Sequence, residues 1–316
     1  MRIVAYVPGI YPRSEELVRA TRDLERGRTT PEAVDERFRA ERAEVMRLQQ
    51  EAGLDLFTDG MLRWQDIFRP LAEAADGLEP RTLVRWFDNN SFFRAPRVGG
   101  SPRLREPPAV FDEEPPIPEP RAATLPSPYL LSRAVQAEGD LDGLMRDLAR
   151  RVLAPAAEGL DWRGYRLIHL QEPWLGFFGM EEETWPAFRE SVAAIRDAAP
   201  HPILTLHVSY GDAAPHAERL RELPVDAVGV DFVETDLDAL PRPWGTGLVA
   251  GCLDARRSVM ETVEGTVDFL QKVAGVLEPT ALYATPNAEL ELLSAELASR
   301  KVRLLGRVAA AMKEAA

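Results

Sequence analysis

Short runs of apolar residues alternate with longer stretches of helical periodicity along this chain. In one such stretch, Val34, Phe38 and Val45 recur at helical spacing. It begins after Thr30, which can cap a helix, and ends at Gly53, which can close one. Eight apolar runs that fit β-strands lie at 3–7, 54–58, 123–125, 167–170, 203–208, 227–232, 248–252 and 281–284, and two further helical stretches lie at 141–158 and 182–198. Strands that alternate with helices predict a parallel sheet wrapped by helices.

Eight strands of this kind favour an α/β fold, the (β/α)8 TIM barrel, as a single domain over residues 1–316. A doubly wound open sheet has the same alternation and stays an alternative. Residues 86–121 break the pattern between strands 2 and 3, and their later part, 96–120, is rich in proline. Because proline disfavours helices and central strands, we predict an insertion there. It either covers the barrel mouth as a lid or forms a surface loop.

Composition and charge narrow the classes of function. The chain has 316 residues, of which 45% are hydrophobic and 28% are charged, as in a globular protein. Its formal net charge of −13 disfavours nucleic acids and anionic membranes as partners. No apolar run is long enough for a signal peptide or a transmembrane helix, so a cytoplasmic location is expected.

Two scarce residue types restrict the chemistry further. Cys252 is the only cysteine, which excludes an internal disulfide and a cysteine-based zinc finger. The three lysines, Lys272, Lys301 and Lys313, fall in helical stretches near the C-terminus and not at strand ends. A Schiff-base mechanism needs a lysine amine in the pocket, so such a mechanism is disfavoured.

Polar residues gather where the predicted strands end. Catalytic groups of α/β barrels lie at the C-terminal ends of the strands, so these residues are the candidates for a site. They are Asp59, Gln171, Glu172, His207, Ser209, Tyr210, Asp231, Glu234, Asp254, Arg256, Asn287 and Glu289. Together with Arg63 and Arg94, they would combine fixed positive charges, carboxylates and a titratable imidazole. Such a set suits a small anionic ligand.

Five segments at these strand ends resemble, in the same order, the C-terminal catalytic half of cobalamin-independent methionine synthase in its short single-domain form. The segments are Pro8-Gly9-Ile10-Tyr11-Pro12-Arg13-Ser14, Gly53-Leu54-Asp55-Leu56-Phe57-Thr58-Asp59-Gly60-Met61, Asn90-Ser91-Phe92-Phe93-Arg94-Ala95-Pro96, Leu170-Gln171-Glu172-Pro173 and Leu206-His207-Val208-Ser209-Tyr210-Gly211-Asp212. The resemblance spans nearly the whole chain. It implies a barrel enzyme that transfers a methyl group.

In that family a zinc ion binds homocysteine as a thiolate, and the resemblance places the zinc ligands on this chain. His207 matches the histidine, whereas Ser209 stands at the first cysteine. Asp231 replaces the glutamate and Ala288 the second cysteine. Serine is a poor zinc ligand and alanine is none, so the zinc site is expected to be degenerate, with His207 and Asp231 as its remaining ligands. The residues that could be recruited to complete it are Glu234, Cys252 and Glu289.

The positions that the family uses to bind homocysteine differ as well. Ile10, Met61 and Gln171 replace a serine, a glutamate and an aspartate, which removes the carboxylates that would hold an α-ammonium group. Arg256 stands at the proton-donating histidine. Since arginine stays protonated, it would instead clamp an acidic group. The acceptor is therefore expected to differ from homocysteine.

These observations predict a methionine-synthase-like transferase that moves a methyl or other small group to an atypical, anionic acceptor. The donor would be methyltetrahydrofolate or a methylcorrinoid, the latter delivered by a corrinoid protein. His207 would act as a base or a metal ligand, and Asp231 and Glu172 would orient the acceptor. Arg94 and Arg256 would hold its acidic groups. Further substrate contacts are expected from Asn90, Asp59, Gln171, Ser209, Tyr210, Glu234 and Asn287.

Two other classes of function stay open at this point. The same arginines and carboxylates would suit a metal-free lyase or decarboxylase of the uroporphyrinogen decarboxylase type, acting on a carboxylated substrate. A non-catalytic ligand-binding homologue would keep the pocket and lose the chemistry. The sequence alone leaves the donor, the acceptor and the oligomeric state open.

Overall fold

A computed structural model describes residues 3–315 of the chain. Its strands are β1 (Ile3–Ala5), β2 (Ala75–Arg85), β3 (Phe92–Leu104), β4 (Ala122–Pro126), β5 (Leu167–Glu172), β6 (Ile203–Val208), β7 (Ala227–Asp231), β8 (Gly247–Leu253) and β9 (Leu282–Pro286). Seven of them form a parallel sheet in the order β1-β9-β8-β7-β6-β5-β4. Because β4 to β9 follow one another in chain order, the sheet is singly wound and the doubly wound alternative does not apply.

The predicted strand at 54–58 lies between the two edge strands of this sheet. Its backbone is recorded as a single parallel bridge between Phe57 and Arg121. The Asp55 amide donates to the Ala5 carbonyl at 2.9 Å, and the Phe57 amide donates to the Pro120 carbonyl at 3.0 Å. The other seven predicted strands overlap observed strands.

Helices follow most of the parallel strands. They are α1 (Glu15–Glu25), α2 (Pro31–Ala52), α3 (Arg69–Glu73), α4 (Pro128–Ala134), α5 (Leu141–Leu148), α6 (Ala154–Trp162), α7 (Pro173–Phe178), α8 (Trp185–Ala198), α9 (Ala217–Arg221), α10 (Val263–Leu277) and α11 (Ala295–Glu314). The Thr30 hydroxyl caps α2 by accepting from the Ala33 amide, and Gly53 ends this helix at φ 75°. These are the boundaries that the sequence predicted. Between residues 3 and 315, no helix is both long and apolar enough to span a bilayer.

The parallel sheet curls around a small apolar cluster. Residues in or next to separate strands meet in this cluster, which a flat sheet would not allow. They are Tyr6, Leu56, Ala122, Leu167, Ala227, Val249 and Tyr283. Further along the same concave face the side chains become polar. His169 lies there, with the Tyr6 hydroxyl 2.9 Å from its Nδ1 atom. A larger hydrophobic core fills the space between the sheet and the surrounding helices.

The segment predicted to be an irregular, proline-rich insertion is partly regular, and this corrects the sequence analysis. Residues 92–104 form β3, which pairs antiparallel with β2. Pro80 lies opposite Pro96 in this pairing. A two-stranded ribbon consists of two edge strands, so a proline whose missing N–H would face outward costs no ladder hydrogen bond. The rule against proline in central strands therefore does not exclude it here.

Candidate functional site

The carboxyl ends of the parallel strands form one end of the curled sheet, which we call the mouth. The tip of the β2–β3 hairpin, residues 86–91, lies over it. Trp86 Nε1 donates to the Tyr210 hydroxyl at 3.3 Å, and the Phe87 ring stacks on the Tyr210 ring with centroids 5.3 Å apart. The mouth is the place where the sequence predicted a site, and the tip closes part of it.

His207 lies on the concave face near the end of β6, where it pairs with Gln171 on one side and Gly229 on the other. It is buried, and burial lowers its pKa to about 4, opposed by a hydrogen bond to the Val230 backbone. The imidazole is therefore neutral at neutral pH. Its Nε2 atom has no hydrogen-bond partner. When the single ring proton is on Nδ1, Nε2 carries the lone pair.

Glycines on the two following strands make room for the His207 ring. A Cβ atom at Gly229 would lie 2.5 Å from the ring. A Cβ atom at Gly251 would lie 3.0 Å from Nε2. The buried hydroxyls of Ser209 and Thr285 also have no hydrogen-bond partner. Ser209 follows β6 and Thr285 belongs to β9, both strands of the same sheet. Buried polar atoms are rarely left unpaired, so these three atoms mark a place for a ligand or for water.

Asp231 ends β7 and is fully buried. One of its carboxylate oxygens accepts from the Asn287 side-chain amide at 2.9 Å and from the Val233 amide at 3.0 Å. The other accepts from the Tyr210 amide at 3.1 Å. Burial raises the pKa of Asp231 to about 6, and the Asn287 hydrogen bond lowers it. The carboxylate thus joins the loops that follow β6 and β7 to the end of β9.

Glu172 is also buried, and its two oxygens cap helices. Oε1 accepts from the Leu175 amide of α7 at 2.8 Å, and Oε2 accepts from the Leu130 amide of α4 at 3.1 Å and from the Ser127 hydroxyl. Burial raises the pKa of Glu172 to about 7 against these hydrogen bonds. Both oxygens are therefore occupied by the protein itself, which fits a positioning role.

Glu289 follows β9 and is buried beside Gln171, whose side-chain amide donates to it at 2.6 Å. Burial raises the pKa of Glu289, and the nearby carboxylate of Glu291 raises it further. Gly9 packs against this pair, because a Cβ at that position would lie 2.7 Å from the Glu289 Cβ. The left-handed φ of 74° at this residue also requires glycine.

Arg256 connects the loop after β8 to the hairpin tip. Its guanidinium lies 4.7 Å from the centroid of the Tyr210 ring and donates to both oxygens of Asp88 at 2.9 and 3.0 Å. The Glu234 carboxylate lies 3.8 Å away. The Asp254 side chain accepts from the Arg256 amide at 2.9 Å and fixes the start of this loop.

A polar cavity of about 590 Å³ opens between the hairpin tip and the loops that follow β7, β8 and β9. Its lining residues are Asp88, Asn89, Asn90, Ser91, Glu234, Asp254, Arg256, Arg257, Glu291 and Leu292. Asn90, Glu234 and Arg256 were predicted as site residues. The hairpin residues Asp88 and Ser91 and the loop residue Glu291 were missed, because a contact such as Arg256–Asp88 joins positions 168 residues apart and leaves no local sequence signal.

Three residues that the sequence assigned to the site lie elsewhere. Arg94 is exposed on the hairpin and donates to the Arg81 carbonyl at 3.1 Å. Asp59 turns toward Arg42 on α2, with a closest distance of 3.6 Å. Arg63 pairs with Glu113 at 2.7 Å. Asp59 and Arg63 pair with charged groups outside the mouth, and Arg94 bonds to a backbone carbonyl. The expected cluster of site arginines is therefore reduced to Arg256 and its neighbour Arg257.

The residues at the mouth do not fit the tetrahedral zinc site that the family resemblance implies. Within residues 3–315, no group of three histidine, cysteine, aspartate or glutamate side chains could hold a metal ion. Asp231 and Glu289 are already hydrogen-bonded within the protein. The Cys252 thiol lies 3.6 Å from the Thr285 carbonyl, and burial raises its pKa to about 12, so it is not a ready thiolate ligand. His207 Nε2 has no hydrogen-bond partner and offers a nitrogen donor atom.

Comparison with protein families identifies residues 126–278 as a match to the model described as cobalamin-independent synthase, N-terminal domain. The strand-end motifs resemble the C-terminal half of these enzymes, so the matching model describes the other domain. The matched stretch runs from the end of β4 to the end of α10 and includes the strand ends that carry Glu172, His207 and Asp231.

Curated relatives and a solved structure match over nearly the whole chain. The methionine synthase of Sulfolobus acidocaldarius is 25% identical over 94% of this chain and 88% of its own length, and that of Saccharolobus solfataricus is 25% identical over 94% and 90%. The B12-independent methionine synthase of Shewanella sp. W3-18-1, solved in complex with selenomethionine, superposes with a TM-score of 0.73 at 16% identity and covers 99% of this chain and 98% of its own. Over nearly its whole length, the chain is therefore similar to cobalamin-independent methionine synthases.

Proposed function

We propose that this protein is a one-carbon transferase that moves a methyl group to an acceptor other than homocysteine, with His207 as the base. Methyltetrahydrofolate or a methylcorrinoid would be the donor, as the family resemblance of the sequence implies. The observation that carries the proposal is the neutral, buried His207 with an unpartnered Nε2 atom. A lone pair held in this way can accept a proton from a bound X–H group.

The proposed methyl transfer can proceed without a metal-bound thiolate. The acceptor atom X attacks the methyl carbon of the donor while Nε2 of His207 takes the proton from X. The bond between the methyl group and the donor breaks and its electron pair stays on the donor; the nitrogen of a folate donor also takes up a proton and leaves as a neutral amine. A neutral imidazole can accept the proton because its low pKa leaves it unprotonated at neutral pH.

The residues at the acceptor end argue against homocysteine. Ile10 and Met61 are buried apolar side chains where the family resemblance places a serine and a glutamate. They offer no charge-assisted hydrogen bond to an α-ammonium group. An amino acid would therefore lose the interactions that anchor it in the related enzymes.

The polar cavity above the mouth is the proposed binding region for the acceptor. Arg256 there is paired with Asp88, whose side chain is 52% exposed. An acidic group on the acceptor would replace Asp88 on the guanidinium and release the hairpin tip. Asn90, Ser209, Tyr210, Glu234 and Asn287 are the proposed polar contacts or supports around it, with Asp231 and Glu172 holding the loops. The proposed acceptor is therefore a small anion.

The proposal includes a closed barrel of eight segments, with residues 54–58 as the eighth between β1 and β4. The hydrogen bonds from Asp55 to Ala5 and from Phe57 to Pro120 support this closure. It also treats residues 1–316 as a single domain in which 86–121, together with the earlier part of the hairpin, is an insertion that acts as a lid. Closure would bring the carboxyl ends of all eight segments to one mouth, as in other α/β barrels.

Methyl transfer from each donor to a panel of carboxylated thiols, amines and alcohols tests this function. Purified protein should demethylate one donor in the presence of an acceptor, and the His207→Gln variant should lose roughly 100-fold or more, the range of general base catalysis. His201→Gln, at an exposed histidine that precedes β6 at the end of the sheet opposite the mouth, is the matched control and should keep full activity. Transfer that persists in His207→Gln, or release of CO₂ from a carboxylated compound without demethylation of a donor, would overturn the proposal.

A further inference from the structure

The exposed apolar side chains of this protein are concentrated at the mouth. Among residues 3–315, seven large hydrophobic side chains are exposed, and five of these lie on the hairpin or on α7: Leu83, Val84, Phe92, Phe177 and Phe178. The exposed fractions reach 58% for Leu83 and 59% for Phe178. Scattered exposed apolar residues need no explanation, but a cluster of this kind marks an interaction surface.

The hairpin and α7 are neighbours in space. Phe87 at the hairpin tip contacts Phe177 and Phe178 of α7, with ring centroids 5.2 and 6.0 Å apart. The apolar residues of the two elements therefore flank one rim of the mouth. We call this rim, made of residues 81–94 and 174–183, the docking rim.

The hairpin side of the docking rim is basic in an otherwise acidic protein. Residues 75–104 hold five arginines and three acidic residues, whereas the whole chain has a net charge of −13. Arg85 and Arg94 alternate with Leu83 and Phe92 on the exposed face, since Arg85 pairs with Phe92 and Leu83 pairs with Arg94. In the described part of the chain, no carboxylate lies within ion-pair distance of Arg85 or Arg94.

The α7 side of the docking rim is acidic. Three consecutive glutamates, Glu181, Glu182 and Glu183, follow Phe178 and are exposed. Glu182 pairs with Arg219. Over residues 3–315, neither Glu181 nor Glu183 has a basic side chain within 4.0 Å. The docking rim thus carries unpaired cations on the hairpin, unpaired carboxylates after α7 and exposed aromatic rings on both elements.

We propose that the docking rim binds a second copy of this chain in a two-fold symmetric dimer. A two-fold axis brings the same surface of both copies together, so such a surface must complement itself. Rotation about that axis sets the hairpin of each copy against the glutamates of the other. Arg85 and Arg94 then meet Glu181 and Glu183 twice, around a core of Phe92, Phe177 and Phe178. The charge on this rim selects a second copy because both halves of the complementary pair are present on one chain.

Charge reversal at the two halves tests this arrangement. One variant combines Arg85→Glu with Arg94→Glu, and the other combines Glu181→Arg with Glu183→Arg. Each variant alone places like charges opposite each other in both contacts of the dimer, so each should be monomeric in sedimentation equilibrium where the wild type is dimeric. An equimolar mixture restores opposite charges at both contacts, so it should form a heterodimer. All four positions are exposed, so folding should be unaffected.

A control variant, Arg28→Glu with Arg37→Glu, changes exposed residues outside the docking rim. It lowers the net charge by the same amount as Arg85→Glu with Arg94→Glu. It should dimerise like the wild type. Dimerisation of the wild type should also weaken as salt is added, because exposed charges are screened. A monomeric wild type at its highest soluble concentration, reversed variants that still dimerise, or a mixture that stays monomeric would each overturn the proposal. None of these outcomes depends on the proposed transferase activity.

Discussion

The Arg256 guanidinium holds both carboxylate oxygens of Asp88, at 2.9 and 3.0 Å, and so ties the loop after β8 to the tip of the hairpin. The same guanidinium lies over the face of the Tyr210 ring. One arginine therefore holds the hairpin tip and also lines the proposed acceptor cavity. An acidic ligand that takes the guanidinium must release Asp88, which couples binding to opening of the tip.

Removal of the Asp88 charge should loosen the tip without unfolding the protein. We expect Asp88→Asn to increase hydrogen exchange at residues 86–91 while the free energy of unfolding changes by about 1 kcal/mol or less, as for other exposed ion pairs. Asp76→Asn is the control, because Asp76 pairs with Arg105 at 3.5 Å at the far end of the same hairpin. Equal hydrogen exchange at residues 86–91 in wild type and Asp88→Asn would refute the claim that the Asp88–Arg256 ion pair holds the hairpin tip.

The close contact between Gly229 and His207 predicts a cost for any side chain at residue 229. Gly229→Ala places a Cβ 2.5 Å from the buried ring, so the imidazole must shift. Overpacking of this kind should lower the free energy of unfolding in urea by about 1–3 kcal/mol. Gly275→Ala, on α10 with no atom within 4 Å of the added Cβ, should instead be neutral or stabilising by up to about 1 kcal/mol. Comparable effects at both positions would contradict this account.

Lys301 is fully buried in α11 and should matter more to stability than an exposed lysine. Its Nζ atom donates to the Val259 carbonyl at 2.8 Å and to both Glu261 oxygens at 3.0 and 2.8 Å. Lys301→Met removes these hydrogen bonds and leaves the Glu261 carboxylate without its charge partner, so it should cost roughly 3 kcal/mol or more. Lys313→Met is the matched control on the same helix: its pair with Asp55 is more exposed, so about 1 kcal/mol or less is expected. Urea denaturation of both variants gives the comparison.

Burial of Glu289 should make stability depend on pH. Its folded-state pKa is raised above the ordinary value, so the folded protein binds the proton more tightly than the unfolded chain. The resulting stabilisation is fully present below the unfolded-state pKa and is lost as the pH rises through the folded-state pKa. Glu289→Gln stays neutral and should therefore raise Tm relative to wild type at about pH 8 and much less at about pH 5. Glu296→Gln, exposed at the start of α11, should show no such pH dependence; the opposite trend for Glu289→Gln would contradict the shift.

The sequence predicted the elements whose signals are local. The cap at Thr30 and the stop at Gly53 bound α2 as expected, and seven apolar runs became strands of the curled sheet. It also placed His207 and Asp231 at strand ends. Part of the hairpin was missed because the rule against proline applies to central strands, whereas the hairpin consists of edge strands.

The sequence could not assign the charged residues around the mouth to their partners. Arg94 and Asp59 fall within segments that resemble the family, yet their side chains turn to Arg81 and Arg42 outside the mouth. Asp88 had no motif to mark it, since its partner Arg256 is 168 residues away. Partner choice over such separations depends on the folded surface, which local patterns do not describe.

The central claim is that transfer depends on the His207 imidazole as a base and not on a zinc-bound thiolate. The most direct test measures zinc content and methyl transfer in the same preparations of wild type and His207→Gln. The account predicts far less than one zinc ion per wild-type chain, transfer that a chelator leaves unchanged, and loss of transfer in His207→Gln. One zinc ion per chain that disappears in His207→Gln, together with transfer that stops when the metal is removed, would contradict it.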